Sequence, residues 1–137
     1  MAKKTWVEKR MLNRAPVVEV VDKKFADIPA GATMLIANPM VVDAYVRQIP
    51  KGRDSSIAQM RKDLAGEYGA QYMCPVTAGI FLRIVAEAAW EEMQQGKKPN
   101  QVAPFWRIIS LKSPTAKKLS FGTDFLEEMR QKEKLDN

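Results

Sequence analysis

The chain has no histidine and only one cysteine, Cys74, among its 137 residues. Without histidine there is no Ser-His-Asp triad, no Cys-His dyad and no imidazole metal ligand. A lone cysteine forms neither an internal disulfide nor a thiolate zinc cluster, and it suits a reducing, cytoplasmic setting. Glycine is sparse, and Gly66 and Gly69 lack the spacing and the Lys-Ser/Thr pair of a phosphate-cradling loop. No apolar run approaches the ~18 residues that cross a bilayer. No hydrophobic stretch follows the basic start, so no secretory signal is expected. The carboxylates are scattered over helix faces expected to be exposed, and no general acid–base pair can be read from them.

What remains is the make-up of one ordinary globular domain, 46% hydrophobic and 28% charged. At this length roughly two-thirds of the unfolded surface can be buried. The formal charge of +6 is unevenly spread. Residues 97–118 hold six cations (Lys97, Lys98, Arg107, Lys112, Lys117 and Lys118) and no acid, which equals the whole net charge. Such a stretch is either an electrostatic footprint for nucleic acid or a solvated basic surface. The long apolar segment before it is acidic, with Glu87, Glu91 and Glu92.

Capping and periodicity predict a mainly α chain with a small β component. Residues 1–37 read as an irregular N-terminal extension, with short strands at Val17–Val21 and Thr33–Ala37. Asn38-Pro39 opens a helix with apolar Val41, Val42, Tyr45, Val46 and Ile49, and Ile49-Pro50-Lys51-Gly52 stops it. Ser56 and Gln59 form a capping-box pattern before Ile57, Met60, Leu64 and Tyr68. The longest helix spans Pro75 to Gln95, with Ile80, Ile84 and Ala88 setting its period. Phe105–Leu111 is β-branched and aromatic and reads as a strand. A basic loop from Thr115 to Ser120 follows, and Asp124 with Glu127 caps a last helix. Tandem helices followed by a strand and a basic loop suggest a winged helix-turn-helix. Cys74-Pro75 just ahead of the long helix is either a thiol activated by the helix amides or a small buried residue closing a loop.

Two segments carry a family resemblance. Ile49-Pro50-Lys51-Gly52-Arg53-Asp54-Ser55-Ser56-Ile57 resembles the Ile-Pro-x-Gly-x-Val-x-Thr/Ser-Tyr segment of O6-alkylguanine-DNA alkyltransferases, which opens the first helix of their helix-turn-helix. Pro104-Phe105-Trp106-Arg107-Ile108-Ile109 resembles their Pro-Cys-His-Arg-Val-Ile active-site strand. Between them, Arg83-Ile84-Val85-Ala86-Glu87-Ala88 is similar to their Arg-Ala-Val-Gly-x-Ala recognition helix. The resemblance covers residues 38–112, the winged-helix core, and leaves 113–137 as a basic loop and C-terminal helix. It implies minor-groove binding by the recognition helix. It sets Phe105 at the alkyl-accepting cysteine and Trp106 at the activating histidine. It sets Ile57 at the tyrosine that rotates the nucleotide, and Arg83 at the arginine that replaces the flipped base. Pro104 and Arg107 keep the scaffold. A phenyl ring accepts no alkyl group, so the chain resembles the non-enzymatic alkyltransferase-like branch. It departs from that branch in losing the histidine and tyrosine as well.

The expected function is therefore non-enzymatic binding of double-stranded DNA, without cofactor or metal, reading a flipped or O6-alkylated guanine in DNA repair. Phosphate contacts are expected from Arg53, Lys112, Lys117, Lys118 and the helix start at Ser56. Phe105 and Trp106 would stack on an extruded base, or else alternate between core and surface along a strand. Arg83 would enter the duplex, or else pair with Glu87 one turn on. Two competing readings are a protein-interaction module, favoured by the acidic long helix and acidic C-terminus, and a thiol enzyme using Cys74.

Overall fold

Local capping chemistry sets most helix starts. A computed structural model describes residues 4–12 and 14–136. Its elements are α1 (Trp6–Arg10), β1 (Val17–Val20), β2 (Thr33–Ile36), α2 (Pro39–Arg47), α3 (Ile57–Glu67), β3 (Tyr72–Met73), α4 (Pro75–Gln94), α5 (Pro114–Lys118) and α6 (Asp124–Lys132). Asn38 Oδ1 accepts from the Val41 amide at 2.8 Å and Pro39 takes the first helical position of α2. Ser56 Oγ accepts from the Gln59 amide at 3.1 Å and starts α3. α4 ends before Gly96, whose φ of +112° a residue with a Cβ rarely adopts.

The three strands form one sheet in the order β1-β2-β3. β1 runs antiparallel to β2, with Val18 opposite Leu35, and β2 runs parallel to β3, with Leu35 opposite Met73. α2 and α3 make the crossover that a parallel pair requires. The main core surrounds α4, whose Ala78, Leu82, Val85, Ala86 and Ala89 pack against Val42, Val46, Met60 and Leu64 of α2 and α3. A smaller cluster of Val21, Ile28, Ala32, Met34 and Cys74 lies at the sheet.

Four expectations are corrected. The N-terminal residues form the two expected strands, β1 and β2, but they also supply the helix α1, which was not expected. Residues 105–111 form no strand; Phe105–Arg107 is a 3-10 turn in which the Arg107 amide donates to Pro104 O at 3.0 Å and the Ile109 amide to Phe105 O at 3.0 Å. A strand would send successive side chains to opposite faces. Phe105 and Trp106 are both buried, at 0% and 2% exposure, and the turn carries both into the main core. The basic loop winds into α5, capped by Ser113, whose Oγ accepts from the Ala116 amide at 3.3 Å. In α6 the cap is Thr123 and Asp124 is already helical, so Asp124 and Glu127 form no capping box.

Candidate nucleic-acid interface

α4 has two unlike halves. In its second half the buried side includes carboxylates, and each has partners within the molecule. Glu87 accepts from the Ser120 amide at 2.7 Å and from the Ser120 hydroxyl, and Arg83 lies 3.5 Å away. Glu91 accepts from the amides of Trp6 and Val7 at 3.1 and 3.3 Å, capping the start of α1. Glu92 binds Arg10 and Lys97, both at 2.7 Å. Burial is the largest effect on Glu92 and pushes its pKa up. Arg10 and Lys97 outweigh burial and hold the carboxyl below its ordinary value. α1 has only five residues, too short to persist alone. These polar anchors, with a Thr5–Glu8 capping box, hold it on α4. The acidic face expected along the long helix is thus not a free surface, and that argument for protein interaction is withdrawn.

The first half of α4 is open and carries no acid. Val76, Gly79, Ile80 and Arg83 recur at three- and four-residue steps on one side. Val76 is 55% exposed and Ile80 51%. They border a groove of about 1040 Å³, closed on its other sides by the start of α3 at Ser56 and Ile57, the 108–110 segment and α5. Three cations stand at the groove: Arg83, Lys118 and Lys9 from α1. The Trp6 ring sits between two of them, 4.2 Å from Lys9 Nζ and 5.2 Å from the Arg83 guanidinium carbon. The acid lining the groove is Asp54, and Arg130 holds it at 3.1 Å. A cationic rim over an apolar floor favours a ligand with negative charge and some apolar surface.

A second, more polar depression of about 650 Å³ lies beside it, where Arg53 is found with Tyr45, Gln59 and Asp63. Tyr45 Oη donates to Asp63 at 2.6 Å. Burial first, then this bond to a carboxylate, pushes the Tyr45 phenol up to about 12.

Of the residues expected to contact DNA, Ser56, Ile57, Arg83 and Lys118 meet at the groove. Lys117 and Lys112 are exposed nearby in sequence without lining it, and Arg53 faces the second depression. Four others serve the interior. Pro104, Phe105 and Trp106 are buried. Phe105 packs within 5.4–6.1 Å of Trp106, Phe121 and Phe125. Trp106 Nε1 donates to Glu133 at 2.6 Å, and Arg107 binds the same carboxylate at 2.9 Å and Ile49 O at 2.7 Å. Burial is the largest effect on Glu133 and would raise its pKa. Arg107, the Gly52 amide and Trp106 together reverse that and lower it. Neither aromatic ring offers a face to an extruded base, so both the stacking role and the core-surface alternation are corrected. Arg83 does pair with Glu87.

Lys9, Trp6, Val76 and Ile80 were missed. Ile80 was read only as setting the period of the long helix, and α4 buries the stripe through Ala78, Leu82, Val85 and Ala89. The Val76-Gly79-Ile80-Arg83 spacing does not single out that side in the sequence, because apolar residues lie all round α4. Cys74 closes the loop before α4 as a buried residue, its amide bonded to Leu35 O at 2.9 Å. Comparison of the chain with protein-family models, with curated proteins and with solved structures found no match. No helix among the described residues is long and apolar enough to cross a membrane.

Proposed function

We propose that this chain is a non-enzymatic module that binds double-stranded DNA through the open half of α4, with α3 and α4 acting as a helix-turn-helix of alkyltransferase-like descent. The observation that carries the reading is the sorting of charge: α4's carboxylates are engaged inside the molecule, while Arg83, Lys118 and Lys9 stand at one groove. Lys112 and Lys117 extend the positive field and supply phosphate contacts. The α3 start at Ser56 adds oriented amides. Val76 and Ile80 suit the minor groove, where proteins place apolar side chains against base steps between cationic contacts. The strands precede α4 in the chain, so this reading assigns no duplex contact to a wing. With Phe105 and Trp106 interior, it expects no preference for an alkylated guanine.

Fluorescence anisotropy over a salt series, with two duplexes differing by one O6-methylguanine, tests this. Equal binding at the ~10⁻⁴–10⁻⁶ M level of non-specific contacts, weakening with salt, supports the proposal. Tighter binding of the modified duplex by tenfold or more, about 1.4 kcal/mol, refutes the claim of no lesion preference. Salt-independent or absent binding refutes the DNA reading. In that event the half-exposed Val76 and Ile80 favour the second reading, a protein-docking groove for an amphipathic helix with acidic flanks matching the three cations.

A further inference from the structure

A second surface, unrelated to the groove, lies at the edge of the sheet. Met11, Leu12, Val17, Val18 and Val20 are all exposed large apolar side chains, and they fall within ten residues of chain. β1 pairs with β2 on one side and, among the described residues, with no strand on the other. All four of its residues are exposed. The direction of its free backbone groups follows from its neighbour in the chain. The Val21 amide donates to Ala32 O at 2.9 Å, and Val21 O accepts from the Gly31 amide at 2.7 Å. Alternate residues of an antiparallel strand turn their polar groups toward the partner. Val17 and Glu19 therefore address β2, and Val18 and Val20 turn their amides and carbonyls outward. An edge of this length that carries valines and presents unsatisfied donors and acceptors is a template for another strand.

We infer that β1 is a dimerisation edge on which two copies of this chain pair antiparallel about a two-fold axis at Val18. Outward-facing residues must meet outward-facing residues, which places the axis on a residue of β1, and an axis at Val17 sets apolar Val20 against Arg14. An axis at Glu19 sets two Glu19 carboxylates directly opposite each other at the closely spaced, non-hydrogen-bonded position, and like charges there are destabilising. An axis at Val20 sets apolar Val18 against Asp22 of the second copy. An axis at Val18 sets Val18 against Val18 and Val20 against Pro16, an apolar face throughout, and moves Glu19 opposite Val17. Just beyond the ladder, the antiparallel arrangement brings the Arg14 end of one copy toward the Asp22 end of the other, so the ends carry opposite charges. The two Val18 residues exchange amide-to-carbonyl bonds, and each Val20 amide donates to Pro16 O of the other chain. Pro16 has no N–H to return, which ends the ladder and fixes its length.

Sedimentation velocity of the full chain over a dilution series reads this directly. The expected result is a doubled mass that dissociates on dilution. Val18→Pro removes the outward donor at the axis and leaves the β2 ladder intact, because that N–H does not serve it. It should weaken self-association at least about tenfold with an unchanged helical circular dichroism signal. Val20→Lys is a second variant at a position 63% exposed, where folding is insensitive to the side chain, and it should dissociate the dimer similarly. A wild-type chain that stays monomeric at every concentration overturns the inference. So does a doubled mass that persists in Val20→Lys. Neither result bears on duplex binding by the groove, which anisotropy reads separately.

Discussion

The two halves of α4 share one helix and opposite circumstances. From Glu87 onward its buried positions include two carboxylates, it meets α1, and it is tied by ion pairs to Arg10 and Lys97. From Pro75 to Arg83 it is acid-free and exposes Val76 and Ile80. Charge that would repel a phosphate backbone has been turned inward, and apolar surface that would strengthen the core has been turned outward. A helix chosen for stability alone would do the reverse. Substitutions should therefore separate cleanly, with stability lost in the closed region and binding lost in the open one.

The largest expected effect is in the closed region. Phe105→Ala empties a fully buried site among Trp106, Phe121 and Phe125 and should cost about 3–5 kcal/mol in urea unfolding. A loss below ~1 kcal/mol would mean that the ring is not the core residue described. Glu92→Ala removes the carboxylate shared by Arg10 and Lys97 and should cost about 1.5–3 kcal/mol, with α1 released from α4. Hydrogen exchange at the Trp6 and Val7 amides reports that release. Protection equal to wild type would break the link between Glu92 and α1.

Glu92 and Glu133 give the same contrast a pH signature. Both have folded-state pKa values below their ordinary ones. A depressed carboxylate stabilises above its unfolded pKa of ~4.3, and that stability is lost as pH falls through the folded value. The urea midpoint should hold steady from neutral pH and drop below about pH 4. Glu133→Gln should lower the neutral midpoint and flatten the drop. An unchanged acid profile would show that Arg107 and Trp106 do not depend on the carboxylate's charge.

The sequence disclosed the open half less well than the helices themselves. α2 and α3 were legible because their signals are local: Asn38 and Ser56 bond amides three residues on, and Pro39 is pre-set for a first turn. The face of α4 was not, because Ile80, Phe81, Leu82, Ile84, Val85 and Ala86 place apolar residues all round it and the period selects no side. Phe105–Leu111 misled because β-branched and aromatic residues suit any buried backbone, turns included, and only the partner Glu133 27 residues from Trp106 distinguishes the two. Glu87 and Glu92 were read as exposed because charged residues usually are. Their burial rests on Ser120 and Arg10, partners that no spacing rule connects. α1 had too few residues to show a period.

The smaller stability effects belong to the open half. Ile80→Ala should alter stability by no more than about 0.5 kcal/mol, as expected of an exposed position. It should still weaken duplex binding measurably if its side chain meets base steps. Binding equal to wild type would remove Ile80 from the interface and leave only cations.

The Lys117→Gln, Lys118→Gln double variant should leave the urea midpoint where it is, because both side chains are exposed and neither takes part in an ion pair identified among the described residues. Each phosphate neutralised contributes about 0.9 to the slope of log K against log salt, so the slope should fall by about two units while affinity falls for every sequence alike. Glu87→Gln is the matching change across the boundary, at a 1% exposed side chain bonded to Ser120. It should lower stability and leave the salt slope unaltered. If Glu87→Gln instead changed the slope and the lysine pair did not, the division of α4 into a closed and an open half would be drawn in the wrong place. The duplex would then have to approach the side of α4 that Ser120 now covers.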